Sequence, residues 1–176
     1  MAKQKNSYSN TYHDDYTLII NDMQNGFMNE NTDYLPSTIS SFIGSNPFHI
    51  RQTIMTRIVG NANNWPQDRT KKAGIVRALG DGFNGRLVNP FPMEKCEVIT
   101  HESYTKIDGI IDAIRNNNIL LCGLETDFII ILGSTLRDAG YNVSIIYDLT
   151  ATTLGTGAQI AMMSIMQHIF GTDKII

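Results

Sequence analysis

The stretch Ile119–Ala139, ILLCGLETDFIIILGSTLRDA, limits what this chain can fold into more than any other. Ile119–Cys122 is a short apolar run, the pattern of a strand buried on both faces. Gly123 is expected to break it, and Thr126 or Asp127 to cap the helix that follows. A helix opening just past a strand's carboxyl end sets free backbone N–H groups and a positive dipole end at the mouth of a parallel sheet. That is where an open α/β sheet holds its ligand.

The rest of the chain supplies partners for this unit. Tyr16–Asn21 (YTLIIN) is a second buried-strand candidate, rich in β-branched and aromatic residues. Asp22 follows it. A carboxylate there either faces the ligand crevice or forms a turn in the DMQNG loop. Leu35–Gly44 reads as a short helix, and Ile50–Thr56 as a third strand with Arg57 at its end. Arg57 is either a clamp for a carboxylate group or a solvated surface residue. Gly60–Gly85 is the least regular region. It carries Trp65, a pocket wall or a core residue, and the small basic patch Arg69-Thr70-Lys71-Lys72, a solvated helix start. Part of Lys71–Leu79 reads as helical.

Val98–Thr100 is a short strand leading into His101-Glu102-Ser103-Tyr104. Lys106–Asn116 is an amphipathic helix, with Ile107, Ile110, Ile111 and Ile114 at helical spacing. Tyr141–Tyr147 is another strand, ending near Asp148, and Leu154–Phe170 a long helix. Its Met162, Met163 and Met166 face suits core or a subunit interface better than a cofactor. Lys174–Ile176 is read as a last edge strand. Gly155-Thr156-Gly157 is no dinucleotide fingerprint, because it follows no strand directly and lacks the third glycine. Alternating strands and helices with short connections predict a three-layer α/β/α, doubly wound, mostly parallel, Rossmann-like sheet.

Length and charge narrow the class further. The 176 residues suit one domain over 16–176, after a polar tail over 1–15. Cys96 and Cys122 are too few for a disulfide framework, so reduced thiols in a cytoplasmic protein are expected. A net charge of −3 offers no broad attraction to nucleic acid. No apolar run approaches ~20 residues, so no membrane span is expected.

Three segments together resemble the isochorismatase-like hydrolases, the superfamily that includes nicotinamidases. LIINDMQNGFM (Leu18–Met28) is similar to the family's first strand and catalytic Asp loop. CEVITHESYTKID (Cys96–Asp108) is similar to the strand and loop that hold its catalytic lysine. LLCGLETDFIIILGSTLRDAGYNVSIIYDLTATT (Leu120–Thr153) is similar to its G-x-x-T-D-x-C-V nucleophile turn and the elements after it. The resemblance covers most of Tyr16–Phe170.

The resemblance implies an Asp–Lys–Cys triad, and this chain keeps one member of it. The Asp falls on Asp22, the Lys on His101 and the Cys on Ile129. Isoleucine has no nucleophilic atom, whereas thiol chemistry needs a thiolate at this helix start. Cys122, seven residues earlier in the strand, reads as a buried small hydrophobe. Lys106, five residues past His101, reads as solvent-facing. His101 titrates near neutrality and forms, with Asp22, either an acid/base couple or a hydrogen-bonding remnant. The resemblance also implies a cis peptide at Leu124–Glu125, and an oxyanion hole from the backbone N–H groups of Glu125 and Ile129. Arg57, Trp65, Phe27, Glu125 and Tyr104 are the candidate substrate-binding residues. An inward-pointing Glu125 would place negative charge where an oxyanion develops. No metal is implied: Ile58-Val59-Gly60-Asn61 stands where nicotinamidases carry an Asp-x-His…His pattern. No cofactor is implied either.

Three functions follow, in order. The first is a degenerate hydrolase that binds a small molecule in the crevice or serves in an assembly. The second is an isochorismatase-type vinyl-ether hydrolase with Asp22 as general acid, which needs no thiol. The third is a cysteine amidohydrolase, for which this alignment supplies no nucleophile. A homo-oligomer, dimer or larger, is expected, with the Leu154–Phe170 helix contributing apolar surface.

Overall fold

The computed structural model describes residues 15–45, 47–59, 79, 82–89, 91, 95–103 and 107–176. The tail over 1–14, Trp65, the Arg69–Lys72 patch, the helix expected over 71–78, Tyr104 and Lys106 lie outside the described residues.

The strands are β1 (Tyr16–Asn21), β2 (Ile50–Ile58), β3 (Glu97–His101), β4 (Asn118–Leu124) and β5 (Asn142–Ala151). They form one sheet in the order β3-β2-β1-β4-β5, and every neighbouring pair is parallel. The longer helices are α1 (Leu35–Ser45), α2 (Asp108–Ala113), α3 (Thr126–Asp138) and α4 (Thr156–Phe170). The chain builds outward from β1 to β3, then returns to the far side of β1 for β4 and β5. That reversal opens a crevice between the carboxyl ends of β1 and β4.

Alternate residues of a strand point to opposite faces. Leu18, Ile20, Met55, Leu120 and Cys122 pack on one face with Leu35 and Ile39 of α1. Ile19, Ile54, Ile119, Leu121 and Ile145 pack on the other with Ile110 of α2, Leu132 and Leu136 of α3, and Met166 and Phe170 of α4. Burying each such side chain contributes about 1.5–3 kcal/mol. The expected three-layer α/β/α architecture is the one observed.

Several element ends differ from the sequence expectation, each for a local reason. β2 runs on to Ile58, because the Gln24 side chain extends its pairing: the Ile58 N–H donates to Gln24 Oε1 (2.9 Å), and Gln24 Nε2 donates to the Ile58 carbonyl (2.9 Å). Arg57 is therefore inside a strand. Gly123 does not end β4, which continues to Leu124. Its φ of +109° suits glycine, and a Cβ there would lie 2.4 Å from the Asn21 carbonyl oxygen. The glycine thus lets β1 and β4 approach at the crevice.

α2 spans Asp108–Ala113 rather than the longer range expected. Gln52 captures its end, donating to the Ala113 carbonyl (2.8 Å) and accepting from the Arg115 N–H (3.1 Å). β5 extends past Asp148 to Ala151. Its register jumps from Leu121↔Ile145 to Gly123↔Thr150, so Ile146–Leu149 form a bulge. Lys174–Ile176 is not a strand: Thr172–Lys174 is a 3-10 turn, and Ile175 makes an isolated parallel bridge to Ile145. Ile176 accepts from the Tyr147 N–H (2.8 Å) and donates to the Ile145 carbonyl (2.9 Å), covering part of the β5 edge. Among the described residues, no helix is long and apolar enough to cross a membrane.

Candidate functional site

Parallel strands place their carboxyl ends on one side of the sheet. Asn21 and Asp22 at the end of β1, Thr56 on β2 and His101 at the end of β3 converge there. Asp22 and Thr56 are fully buried and Asn21 nearly so. Asp22 has φ +42°, in the left-handed region that few residues with a side chain adopt and that Asp tolerates better than most.

Every polar atom in this cluster has a partner. The Asp22 N–H donates to Thr56 Oγ1 (3.1 Å). Thr56 Oγ1 lies 2.8 Å from Asp22 Oδ1 and 3.0 Å from Asn21 Oδ1, and shares its one proton between them. Asn21 Nδ2 donates to Asp22 Oδ2 (3.3 Å) and to the Leu124 carbonyl, which ties β1 to the end of β4. His101 Nε2 sits 2.9 Å from Asp22 Oδ1, and its Nδ1 lies 3.0 Å from the Ser103 carbonyl.

A proton count follows. A carbonyl only accepts, so His101 Nδ1 carries a proton. The Nε2–Oδ1 contact then holds a second one. The pair is therefore neutral overall, as imidazolium with carboxylate or as imidazole with carboxylic acid. Burial by itself would lower the His101 pKa. The hydrogen bond to Asp22, that carboxylate's charge and the Ser103 carbonyl outweigh it and raise the pKa above its ordinary 6.5.

The space beside this pair is small. A cavity of about 10 Å³ is lined by Asn21, Asp22, His101, Ile107, Ile110, Phe128 and Leu132. That is the lower limit for one water molecule. On its other side His101 borders an open groove of about 370 Å³, lined also by Ile99, Thr100, Glu102, Asp108 and Gly109.

Ile129 is fully buried in the apolar cluster of α2, α3 and the sheet and does not line the Asp22 cavity. Its backbone N–H donates to the Glu125 carbonyl (3.0 Å), the first helical bond of α3, so one expected oxyanion donor is already used. The Leu124–Glu125 peptide is cis. Glu125 is buried but turned toward β5, accepting from Thr152 Oγ1 (2.8 Å) and the Thr153 N–H (3.0 Å). Neither Thr126 nor Asp127 caps α3. Glu125 is the N-cap without a side-chain cap bond, and Thr126 Oγ1 donates to Gln159 Oε1 (2.6 Å).

Phe27 is core, set edge-to-face on Phe128 with ring centroids 6.3 Å apart. Arg57 donates from Nε to the Gly85 carbonyl (2.8 Å) and does not line the Asp22 cavity. Cys122 is fully buried, and burial pushes its thiol well above the ordinary range. Among the described residues, no group of three or more His, Cys, Asp or Glu gathers to hold a metal ion. Sequence reasoning missed Asn21, Thr56, Phe128, Ile107, Ile110 and Leu132 as site residues. For Asn21 and Thr56 a signal existed: each is a polar residue near the end of a strand otherwise buried and apolar.

No family model matches this sequence, and no curated protein matches it. Solved structures do. An isochorismatase-like hydrolase from Alkaliphilus metalliredigens superposes with a TM-score of 0.70 at 11% identity, over 90% of this chain and 91% of that one. The yeast nicotinamidase bound to the inhibitor nicotinaldehyde gives 0.69 at 12% identity, over 91% and 98%. The pyrazinamidase of Pyrococcus horikoshii in complex with zinc gives 0.64 at 16% identity, over 87% and 94%. This chain has the isochorismatase-like hydrolase fold.

Proposed function

We propose that this protein is a degenerate isochorismatase-like hydrolase that works by binding or assembly and not by thiol-mediated amide hydrolysis. The supporting observation is that the position expected to carry the nucleophile holds a fully buried isoleucine, Ile129, while only about 10 Å³ remains beside Asp22. Neither cysteine lines the Asp22 cavity: Cys122 is fully buried in the sheet, and Cys96 packs against the apolar cluster on the α1 face. A ligand reaching this edge of the sheet fits the open groove outside His101 rather than the space inside it.

The test is direct. The protein, incubated with nicotinamide and with pyrazinamide, should release no ammonia above buffer. Treatment with nicotinaldehyde should leave no thiohemiacetal on either cysteine by mass spectrometry. Turnover that disappears in Asp22→Asn would overturn the reading.

A second reading is favoured by the proton between His101 Nε2 and Asp22 Oδ1. A vinyl-ether hydrolase needs an acid and water, not a thiol. The acid here would be the Asp22–His101 pair acting together, and His101 would have to swing into the outer groove to admit substrate. Conversion of isochorismate by the wild type, with a rate that falls as pH rises through the pair's titration and is lost in Asp22→Asn, would favour it over the first reading.

A further inference from the structure

A separate open space lies at the amino end of α4. It measures about 310 Å³, near the small end of the roughly 300–1,000 Å³ typical of ligand sites. It shares no lining residue with the Asp22 cavity or with the groove outside His101, so its role is independent of the reading above. Its floor is held in place. Tyr147, from the β5 bulge, donates its hydroxyl to the Gln159 carbonyl (3.3 Å). The Gln159 amide is also committed, donating from Nε2 to the Thr150 carbonyl (3.1 Å) and accepting at Oε1 from Thr126 Oγ1 (2.6 Å). Asn29 Nδ2 donates to the Thr153 carbonyl (3.2 Å), which ties the turn carrying Glu30 and Asn31 to the start of α4. Gly155 keeps the gap between them open, since a Cβ there would stand 3.5 Å from Asn31 Oδ1. The rim is not committed in this way. Among the described residues, neither the Glu30 carboxylate nor the Asn31 side-chain amide has a hydrogen-bond or ion-pair partner.

We infer that this cavity binds a small organic ammonium ion, held against the rings of Tyr34 and Tyr147 beside the Glu30 carboxylate. The lining holds one carboxylate and no Lys, Arg or His. Burial, then Tyr147, then the Asp148 charge raise the Tyr34 pKa above its ordinary 10.0. The phenol is therefore neutral at physiological pH, and a second carboxylate lies within electrostatic reach of it. An anion here would meet both carboxylates. A cation is drawn to both and to the negative faces of the two rings. Ile160, 62% exposed, adds an apolar wall for alkyl groups on the nitrogen. The first N–H groups of a helix lack an intrahelical partner, so the start of α4 suits an uncharged acceptor on the same ligand, such as a hydroxyl. A bare metal ion is the poorer occupant. It needs several oxygen or nitrogen ligands, and among the described residues no three acidic, His or Cys side chains gather to supply them.

Choline is the probe, followed by the backbone amide signals of the whole chain in proton–nitrogen NMR. It should shift Gly155 and Ile160 saturably, with a Kd of about 1 mM or below, and leave Thr100 and Gly109 of the other groove in place. Its neutral isostere 3,3-dimethylbutan-1-ol has the same shape without the charge and should bind about ten-fold more weakly. Benzoate should bind more weakly than choline. Tyr34→Leu removes a ring and Glu30→Gln a charge, and each should weaken choline roughly three-fold or more. Both positions are exposed, so the far-ultraviolet circular dichroism spectrum should stay that of the wild type. No saturable shift at any soluble choline concentration overturns the inference. So do shifts confined to Thr100 and Gly109, equal affinity for the neutral alcohol, tighter binding of benzoate, or an affinity that neither variant changes.

Discussion

The two ends of the α3–α4 layer are opposites. At the α3 end, Asp22, His101, Thr56 and Asn21 satisfy one another in a space of about 10 Å³ closed by Phe128, Ile107, Ile110 and Leu132. At the amino end of α4, a cavity of about 310 Å³ lies open among Glu30, Tyr34, Tyr147 and Gln159, beside exposed isoleucines. The Asp22 side of the titratable pair has almost no room for a ligand, and the open space at this pair lies on the outer side of His101. Among the described residues, apolar side chains close the space beside Asp22, and apolar surface is exposed on a helix outside it.

The sharpest way to break the contrast is at the strand junction beneath the closed site. Gly123→Ala puts a Cβ against the Asn21 carbonyl at a φ of +109° and should cost more than about 4 kcal/mol, read by urea unfolding or as loss of soluble protein. Asp22→Ala strands His101 Nε2 without its partner and leaves Thr56 only its bonds to Asn21 and the residue-22 N–H, and should cost about 3 kcal/mol in the same assay. Leu132→Ala should cost about 2–4 kcal/mol and enlarge the closed cavity. Benzene would then raise the melting temperature of the variant and leave the wild type unchanged.

The pH dependence carries a definite sign. His101 has a raised pKa when folded, so its contribution to stability is full below the unfolded value of 6.5. It is lost as pH rises through the raised folded value. Melting temperature should therefore fall as pH climbs above 6.5, and His101→Asn should flatten that fall. At the open end, Tyr34→Ala should change stability by less than about 0.5 kcal/mol, because the side chain is 48% exposed. A large effect there would erase the contrast.

Much of the fold was legible. Tyr16–Asn21 was recognisable as a strand to the residue, because a short β-branched run bounded by Asp22 and Gly26 has few alternatives. Ends set by distant side chains were not legible. Gln24 lengthens β2 from 34 positions away, and Gln52 closes α2 from 61 positions away, and no local pattern announces either partner. The same division runs through the site. Asp22, His101 and Ile129 are candidates drawn from a resemblance to a motif, whereas the space beside Asp22 and His101 is closed by Phe128, Ile107, Ile110 and Leu132, which look like any other apolar residues in and beside their helices.

The sequence by itself determined the strand and helix alternation, the isoleucine at position 129 near the α3 start and the absence of formal charge on α4. These are properties of residue type and spacing. Tertiary structure decided that Glu125 accepts from Thr152 and Thr153, that the Ile129 N–H is used within α3, and that His101 meets Asp22 at 2.9 Å beside almost no free volume. Such outcomes depend on which groups meet across the sheet, and a buried polar atom bonds to whichever partner the packing brings within reach.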